Sequence, residues 1–256
     1  MNRSILSLAA TFSLMGGTHA AVLQDNFESY SPLFSDMNGK GSWIVSNGNP
    51  AIPAEGPVAI LDSYTWDGSL QSATVGGVAS TFGGITSMFN SSFSVPLASS
   101  TFIIETAYTE STSGQRNNFQ FVLTASSGNL LTLNFTPGIS GQYNIGYTSA
   151  FAPSGAIGSV LANTSTQFQL NTFASGVNSV GYTLTNAGAP VAAGVLAGAA
   201  QSDVVNSFAV NWDSASNSGL GNNSITIDNI SVVPEPTSAM MALLGASFAL
   251  IRRRRA

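Results

Sequence analysis

Apolar and polar residues alternate with a period of two along most of this 256-residue chain, whereas the period of an amphipathic helix is almost absent. Phe119, Phe121 and Leu123 share one face of such a segment, and Gln120 and Thr124 lie on the other. Because strand side chains point alternately to two faces, this pattern predicts antiparallel strands with one buried and one solvated face. It assigns further residues to buried faces: Phe102, Ile104, Tyr108, Leu131, Leu133, Phe135, Phe168, Leu170, Val180, Tyr182, Leu184, Phe208, Val210 and Trp212.

Clusters of Gly, Ser, Asn and Pro separate these segments, for example at residues 126–129 and 137–142. Such residues adopt the backbone conformations that tight turns need. About a dozen short strands at this spacing predict an all-β fold, an antiparallel β-sandwich of the jelly-roll or concanavalin-like type. Residues 187–200 fit either a hairpin or an irregular loop. The chain has no cysteine, so its core alone must stabilise the fold.

The period of two slips once near the end of this pattern. Ile225 and Ile227 share one face, whereas Ile230 and Val232 have the opposite parity. One extra residue near Asp228 would return both pairs to the same side of a sheet. We therefore expect a β-bulge there.

A Pro-Glu-Pro element, an uncharged apolar segment and four arginines follow one another in residues 234–256. The prolines end the preceding strand, because each removes a backbone donor and restricts the residue before it. A helix over residues 237–251 would be about 22 Å long, short of the roughly 30 Å hydrocarbon core of a membrane. Arginines stay on the cytoplasmic side, so the body would lie outside the cytoplasm. A terminal core helix and a plain membrane anchor are the alternatives.

The order Val-Pro-Glu-Pro-Thr-Ser, apolar helix and arginine cluster resembles the PEP-CTERM sorting signal of exopolysaccharide-producing Gram-negative bacteria. The resemblance implies that a membrane enzyme, exosortase, recognises the Pro-Glu-Pro element and removes the tail. It implies nothing about the fold of the body. The sorting signal would comprise Pro234, Glu235, Pro236, Arg252, Arg253, Arg254 and Arg255.

The first residues have the features of a secretory signal peptide. A positive start at Arg3 precedes a largely apolar stretch over residues 5–15, and small residues occupy the positions that signal peptidase reads. We expect cleavage between Ala20 and Ala21. The alternative is a buried N-terminal helix, which the glycines after residue 15 disfavour.

The sequence thus divides into a signal peptide over 1–20, a β-sandwich domain over 21–233 and a sorting tail over 234–256. We expect an exported protein that is held transiently in the inner membrane and then reaches the cell surface or extracellular matrix. Its expected partners are signal peptidase, exosortase and extracellular polysaccharide.

The predicted body is acidic and sparsely charged. Lys40 and Arg116 are its only basic residues, whereas the chain has 12 Asp and Glu. Nucleic acids and anionic membrane surfaces bind basic faces, so both are excluded as partners of the body.

Catalytic residues are scarce in the predicted body. The only histidine, His19, leaves with the signal peptide, and a chain without cysteine has no thiol nucleophile. A Ser-His-Asp triad, a Cys-His pair and a histidine-ligated zinc site are therefore excluded. Two carboxylates could still hydrolyse a glycoside, but Glu105 and Glu110 would point to opposite faces of a strand, about 16 Å apart along it. We predict no enzyme activity and no catalytic residue.

Aromatic side chains offer another route to carbohydrate, because sugar rings stack on exposed aromatic faces. The residues near predicted loops are candidates for such stacking, although core packing is the more frequent role of large aromatics. These residues are Trp43, Tyr64, Trp66, Tyr143 and Tyr147.

An Asp-Asn pair occurs both near residue 25 and near residue 228. Asp-Asn-Phe-Glu near the start and Ile-Asp-Asn-Ile near the end resemble secreted lectin-like and carbohydrate-binding domains, whose first and last strands commonly pair. If the two strands pair here, Asp25, Glu28 and Asp228 could supply oxygen ligands to a structural calcium ion. The alternative is that Asp25 and Asp228 are solvated carboxylates at strand ends. No other cofactor is predicted.

Two functions remain open from the sequence. The favoured one is a non-catalytic surface or matrix protein, sorted by exosortase and associated with exopolysaccharide or biofilm. The alternative is a secreted, carboxylate-dependent polysaccharide hydrolase or lyase.

Overall fold

The computed structural model describes residues 23–27, 41–47, 58–61, 72–76, 85–109, 116–139, 141–213 and 224–234. The predicted signal peptide and most of the predicted sorting tail lie outside these residues. So do Glu28 and Glu110. Strands and turns make up the described part of the chain, in which no helix occurs. No helix there is long and apolar enough to span a bilayer.

The strands, in chain order, are β1 Leu23–Asp25, β2 Trp43–Asn47, β3 Val58–Leu61, β4 Ser72–Gly76, β5 Ile85–Asn90, β6 Val95–Pro96, β7 Ser99–Thr109, β8 Asn118–Ala125, β9 Gly128–Pro137, β10 Gln142–Thr148, β11 Gly155–Leu161, β12 Thr166–Gly176, β13 Ser179–Asn186, β14 Ala189–Leu196, β15 Val204–Asp213 and β16 Ser224–Pro234. The segment 187–200 therefore holds the turn and second strand of the hairpin that β13 and β14 form, which was one of the two expected structures.

These strands form two antiparallel sheets. The first has the spatial order β14, β13, β12, β7, β16, β4, β3, and β1 lies beside the part of β16 that β4 does not cover. The second has the order β11, β10, β9, β8, β15, β5, β2, with β6 beside β15. The predicted all-β, antiparallel architecture is confirmed for the described residues.

The inner faces of the two sheets pack on each other through aromatic rings. Phe135 of the second sheet meets Phe168 of the first with ring centroids 5.8 Å apart, and Phe208 meets Phe102 at 5.1 Å. Burying one such side chain contributes about 1.5–3 kcal/mol. Every side chain that the period of two assigned to a buried face is at most 7 % exposed, which confirms the predicted alternation.

The predicted β-bulge lies in β16. Asp228 pairs with Glu105 and Ser231 pairs with Ile103, so three steps along β16 match two steps along β7. Asn229, inside the bulge, has a φ of 46°, a left-handed conformation that asparagine tolerates better than most residues. As expected, the bulge directs both pairs of apolar side chains into the core, Ile225 with Ile227 before it and Ile230 with Val232 after it.

Candidate functional site

The predicted sorting signal begins at the last residue of β16. Pro234 is buried and pairs with Ser100 of β7. Glu235 and Pro236 lie outside the described residues, as do the four arginines and the predicted cleavage site at Ala20 and Ala21. The sorting signal and signal peptide therefore stay predictions.

The predicted calcium ligands are partly brought together. The strands β1 and β16 pair as expected, with Asp25 opposite Ile230, two residues from Asp228. Asp25 is 9 % exposed and Asp228 is 0 % exposed, so the interpretation of both as solvated carboxylates is wrong. Glu28 lies outside the described residues. Within them, no group of three or more potential metal-ligating side chains occurs.

Asp25 connects the two sheets by hydrogen bonds. Its Oδ2 accepts the indole N–H of Trp43 at 2.7 Å, and its Oδ1 accepts the backbone N–H of Phe27 at 2.8 Å. Trp43 belongs to the second sheet and Asp25 to the first. Because Trp43 is fully buried, this carboxylate satisfies a donor that would otherwise be costly to bury.

The other carboxylates with described contacts also serve the fold. Glu105 accepts side-chain amide protons from Gln167 at 2.7 Å and from Asn229 at 2.9 Å. Its pair partner Asp228 has no exposed surface, so no substrate reaches that carboxylate in this structure. The cross-strand pair therefore has the proximity but not the access of a glycosidase pair.

Asp203 fixes the loop between β14 and β15. Its Oδ2 accepts the hydroxyl of Ser127 at 2.7 Å and the backbone N–H of Ala200 at 2.8 Å. These bonds, that of Ser127 first, lower the pKa of Asp203 from its usual 3.8.

Of the aromatic residues proposed for sugar stacking, Trp43 and Tyr143 are core residues, whereas Tyr147 is half-buried and lines a groove on the second sheet. Trp43 and Tyr143 are 0 % exposed, and the Tyr143 hydroxyl donates to the Asn117 carbonyl at 2.6 Å. Tyr147 packs against the core and hydrogen-bonds to Tyr182. Burial, and then this neighbour, raise the pKa of Tyr182 above its usual 10.0. Tyr64 and Trp66 lie outside the described residues.

A groove of about 680 Å³ crosses strands β9, β10 and β11 on the outer face of the second sheet. The alternation of the strands places it there, because the neighbours of its lining residues in β9 and β10 point into the core. Its polar lining consists of amides and hydroxyls, one of them phenolic: Asn134, Thr136, Asn144, Tyr147, Thr148, Ser154 and Ser159.

Glycine forms the middle of the groove floor. Gly146 pairs with Asn134 on one side and with Ala156 on the other, so the row that crosses these three strands has no side chain at its centre. A Cβ atom at Gly146 would stand 3.4 Å from the carbonyl oxygen of Gly155. The depression therefore combines a missing side chain with a shift of register: Ile145 pairs with Gly158 and Gly146 with Ala156, so Ile157 between them has no pair partner.

A row of polar side chains leads across the sheet to this groove. Ser87 pairs with Asn211, Asn211 with Gln120, and Gln120 with Asn134. The Ser87 hydroxyl donates a hydrogen bond to the side-chain oxygen of Asn211 at 2.7 Å. The Gln120 amide donates one to the side-chain oxygen of Asn134 at 3.0 Å. Four neighbouring strands thus offer amides and hydroxyls in register with the groove floor.

This groove was not predicted from the sequence, although one signal for it is readable there. Residues 117–202 contain no Asp, Glu, Lys, Arg or His, and they include all strands that line the groove. Arg116, just before this segment, donates from its guanidinium to the carbonyl oxygens of Gly138, Ile139 and Gln142. These hydrogen bonds stabilise the turn between β9 and β10.

No protein-family model matches the chain, and no curated protein matches it. Several solved structures match it in fold. The potassium-bound carbohydrate recognition domain of Emp46p has a TM-score of 0.53 and 7% identity, over 84% of this chain and 97% of that one. Endo-β-1,4-glucuronan lyase from the fungus Trichoderma reesei has a TM-score of 0.50 and 14% identity, over 78% of this chain and 93% of that one. At such identities the likeness shows the fold alone, an all-β antiparallel sandwich.

Proposed function

We propose that this chain is an exported, non-catalytic polysaccharide-binding protein of a bacterial cell surface or extracellular matrix. The observation that carries the proposal is the groove over β9, β10 and β11, whose polar lining is made of amides and hydroxyls without a carboxylate. Amides and hydroxyls donate and accept hydrogen bonds, as the hydroxyls of a sugar do. Acid-base chemistry on a glycoside would need a titratable group within reach. No described lining residue is an acid, histidine or lysine, and the one phenol, Tyr147, shares a hydrogen bond with Tyr182.

The sandwich fold is compatible with this function. A carbohydrate recognition domain and a polysaccharide lyase have similar folds. The predicted sorting tail supports an extracellular destination, since the signal that it resembles occurs in exopolysaccharide producers. An acidic body would not bind anionic membrane surfaces or nucleic acids.

Binding is tested by presenting the purified full-length protein to an array of bacterial and plant polysaccharides. We expect retention by at least one polysaccharide, with loss of retention when Asn134 and Asn144 are both replaced by alanine. A double replacement of matched type on the first sheet, Gln169→Ala with Thr183→Ala, should leave retention unchanged. Uniform absence of binding would contradict the proposal.

Sorting is tested separately in a Gram-negative host that encodes an exosortase. Replacement of Pro234, Glu235 and Pro236 by alanine should leave unprocessed precursor in the inner membrane fraction. Normal release of a shortened protein by this variant would overturn the proposed role of the tail.

A lyase or hydrolase is the competing function, and the fold shared with a glucuronan lyase is what favours it. The binding and enzymatic functions are distinguished by incubating the protein with the polysaccharides that the array identifies. Unsaturated products would indicate a lyase, and new reducing ends would indicate a hydrolase. We expect neither product. Turnover that is lost in the Glu105→Gln variant would replace our proposal by the alternative.

The structural calcium ion at Asp25, Glu28 and Asp228 stays a proposal. Its carboxylates would come from the pairing region of β1 and β16, where Asp25 and Asp228 are both buried. Added calcium should then raise the melting temperature and a chelator should lower it. An unchanged melting temperature in both experiments would rule the ion out.

A further inference from the structure

The strands that line the groove contribute no charged side chain to it. The strands that form it, β9, β10 and β11, belong to the uncharged residues 117–202. The basic residue closest to them in sequence, Arg116, is 9 % exposed and directs its guanidinium at three backbone carbonyl groups of the turn after β9. Among the described residues, no cation is therefore directed into the groove.

An acidic polysaccharide would need such a cation. Each uronate carboxylate that enters a groove loses hydration, and proteins compensate this loss with charge-assisted hydrogen bonds from arginine, lysine or histidine. The groove offers only neutral donors, chiefly the amides of Asn134 and Asn144 and hydroxyls such as that of Thr148. A carboxylate would exchange water for weaker partners there.

A neutral sugar does not incur this cost. Its hydroxyls are both donors and acceptors, as are the amides and hydroxyls of the lining, so the groups pair without transfer of charge. The hydrogen bonds that Asn134 Nδ2 donates in the free protein are long: this atom lies 3.5 Å from the Thr148 hydroxyl and 3.4 Å from the Thr132 carbonyl oxygen. The side-chain amide of Asn134 can thus donate to a ligand instead, at little cost in free energy.

We infer that the groove takes a neutral polysaccharide and discriminates against acidic ones, an inference that rests on the proposed function. The row from Ser87 to Asn134 extends the contact surface over neighbouring strands, which lie about 4.8 Å apart. A polysaccharide that runs across the strands would therefore meet several polar side chains in succession.

The class of ligand is tested by surface plasmon resonance of the full-length protein on immobilised polysaccharides. The neutral probes are dextran, laminarin and galactomannan, and the acidic probes are alginate and polyglucuronate. We expect affinity for at least one neutral probe that changes less than about twofold between low and high salt, because screening weakens only interactions between charges. Each acidic probe should bind at least about tenfold more weakly, the difference that loss of one good charge-assisted bond produces.

Two pairs of variants locate the effect in the groove. Gly146→Leu fills the floor and should remove binding of the neutral probe, whereas Ala193→Leu, on the outer face of the first sheet, should not. Asn144→Lys adds the missing cation and should raise alginate affinity by up to about fivefold, the upper range for one exposed ion pair. Thr183→Lys adds the same charge to the first sheet and should leave alginate affinity unchanged. Circular dichroism melting establishes that all four variants are folded.

Each outcome decides a different statement. Salt-sensitive binding of alginate or polyglucuronate by the unmodified protein, at equal or higher affinity than the neutral probes, overturns the inference and leaves the proposed function intact. Absence of binding to every polysaccharide overturns both. Neutral binding that survives in folded Gly146→Leu protein shows that another surface binds the sugar, and this too overturns the inference.

Discussion

The groove over β9, β10 and β11 and the bulge of β16 use polar side chains in opposite ways. At the bulge, charged residues are buried or half-buried and their hydrogen bonds are made within the protein, as Asp25 does with Trp43 and Glu105 with Gln167. In the groove, the side chains are neutral and mostly exposed, and the bonds among them are long. Buried polar groups must be satisfied internally, whereas exposed ones exchange protein partners for water or ligand at little cost.

Changes at the bulge should affect folding, and changes in the groove should affect binding. The bulge region joins β1, β4 and β7 to one strand and holds the sandwich together. The groove lies on the solvated face of a sheet whose inner face already supplies the core contacts. Substitutions in the first region should therefore lower stability, and substitutions in the second should lower affinity.

The largest effect is expected at Asp25. Asp25→Ala leaves the indole N–H of Trp43 and the backbone N–H of Phe27 without their acceptor, and an unsatisfied buried donor costs about 1–3 kcal/mol. We expect the free energy of unfolding to fall by about 3 kcal/mol in urea denaturation. Ser154→Ala, in the groove, should change it by less than about 0.5 kcal/mol. Equal losses in the two variants would show that the bulge is no more important for stability than the groove.

A smaller loss of stability is expected where the groove meets the core. A Cβ at Gly155 would stand 2.7 Å from Cε1 of Tyr147, whose hydroxyl is bonded to Tyr182. Gly155→Ala should therefore cost about 1–2 kcal/mol through overpacking. In a Tyr147→Ala background the same substitution should cost much less, since the ring that it strikes is gone. An unchanged cost in that background would place the strain elsewhere.

Single amide removals in the groove should act on affinity alone. Asn134→Ala and Asn144→Ala should each weaken binding of the polysaccharide by about 0.5–1.5 kcal/mol, roughly 2- to 12-fold, as the loss of one neutral hydrogen bond does. Melting temperatures should stay within about 1 °C of the unmodified protein, because both sites are surface positions. A large drop in melting temperature would mean that the groove side chains are also structural.

The smallest effect concerns Asp203 at the end of the uncharged segment. Hydrogen bonds from Ser127 and Ala200 lower the pKa of this carboxyl, so its contribution to stability is present above pH 3.8 and is lost as the pH falls through the lower, folded-state pKa. Thermal melting between pH 5 and about pH 2 should show a shallow acid-dependent loss. Ser127→Ala should flatten it, and an identical acid dependence in that variant would exclude this bond as the cause.

Much of the fold could be predicted from local patterns. The alternation of Phe119, Phe121 and Leu123 depends only on neighbours in sequence, and so does the slip of period near Asp228 that gives the bulge. Such features are set by the geometry of a single strand, which a sequence displays directly.

The groove could not be predicted in this way. Asn134, Gly146 and Ala156 are unrelated positions until β9, β10 and β11 pair in this register, and the row from Ser87 requires β5 and β15 to become neighbours. Pairing between distant segments is decided by the packing of the whole core, which a period of two does not encode. The same limit explains why Trp43 and Tyr143 were candidates for sugar stacking, although their rings lie in the core.

The position of β16 has a consequence for how this protein can be made. It is the last described strand in chain order, yet it lies between β7 on one side and β4 and β1 on the other. The first sheet therefore cannot close until Ser224–Pro234 has been synthesised. A chain that emerges N-terminus first from a ribosome would keep β1, β4 and β7 without this partner until β16 has emerged, and unpaired apolar strands of this kind are prone to aggregate.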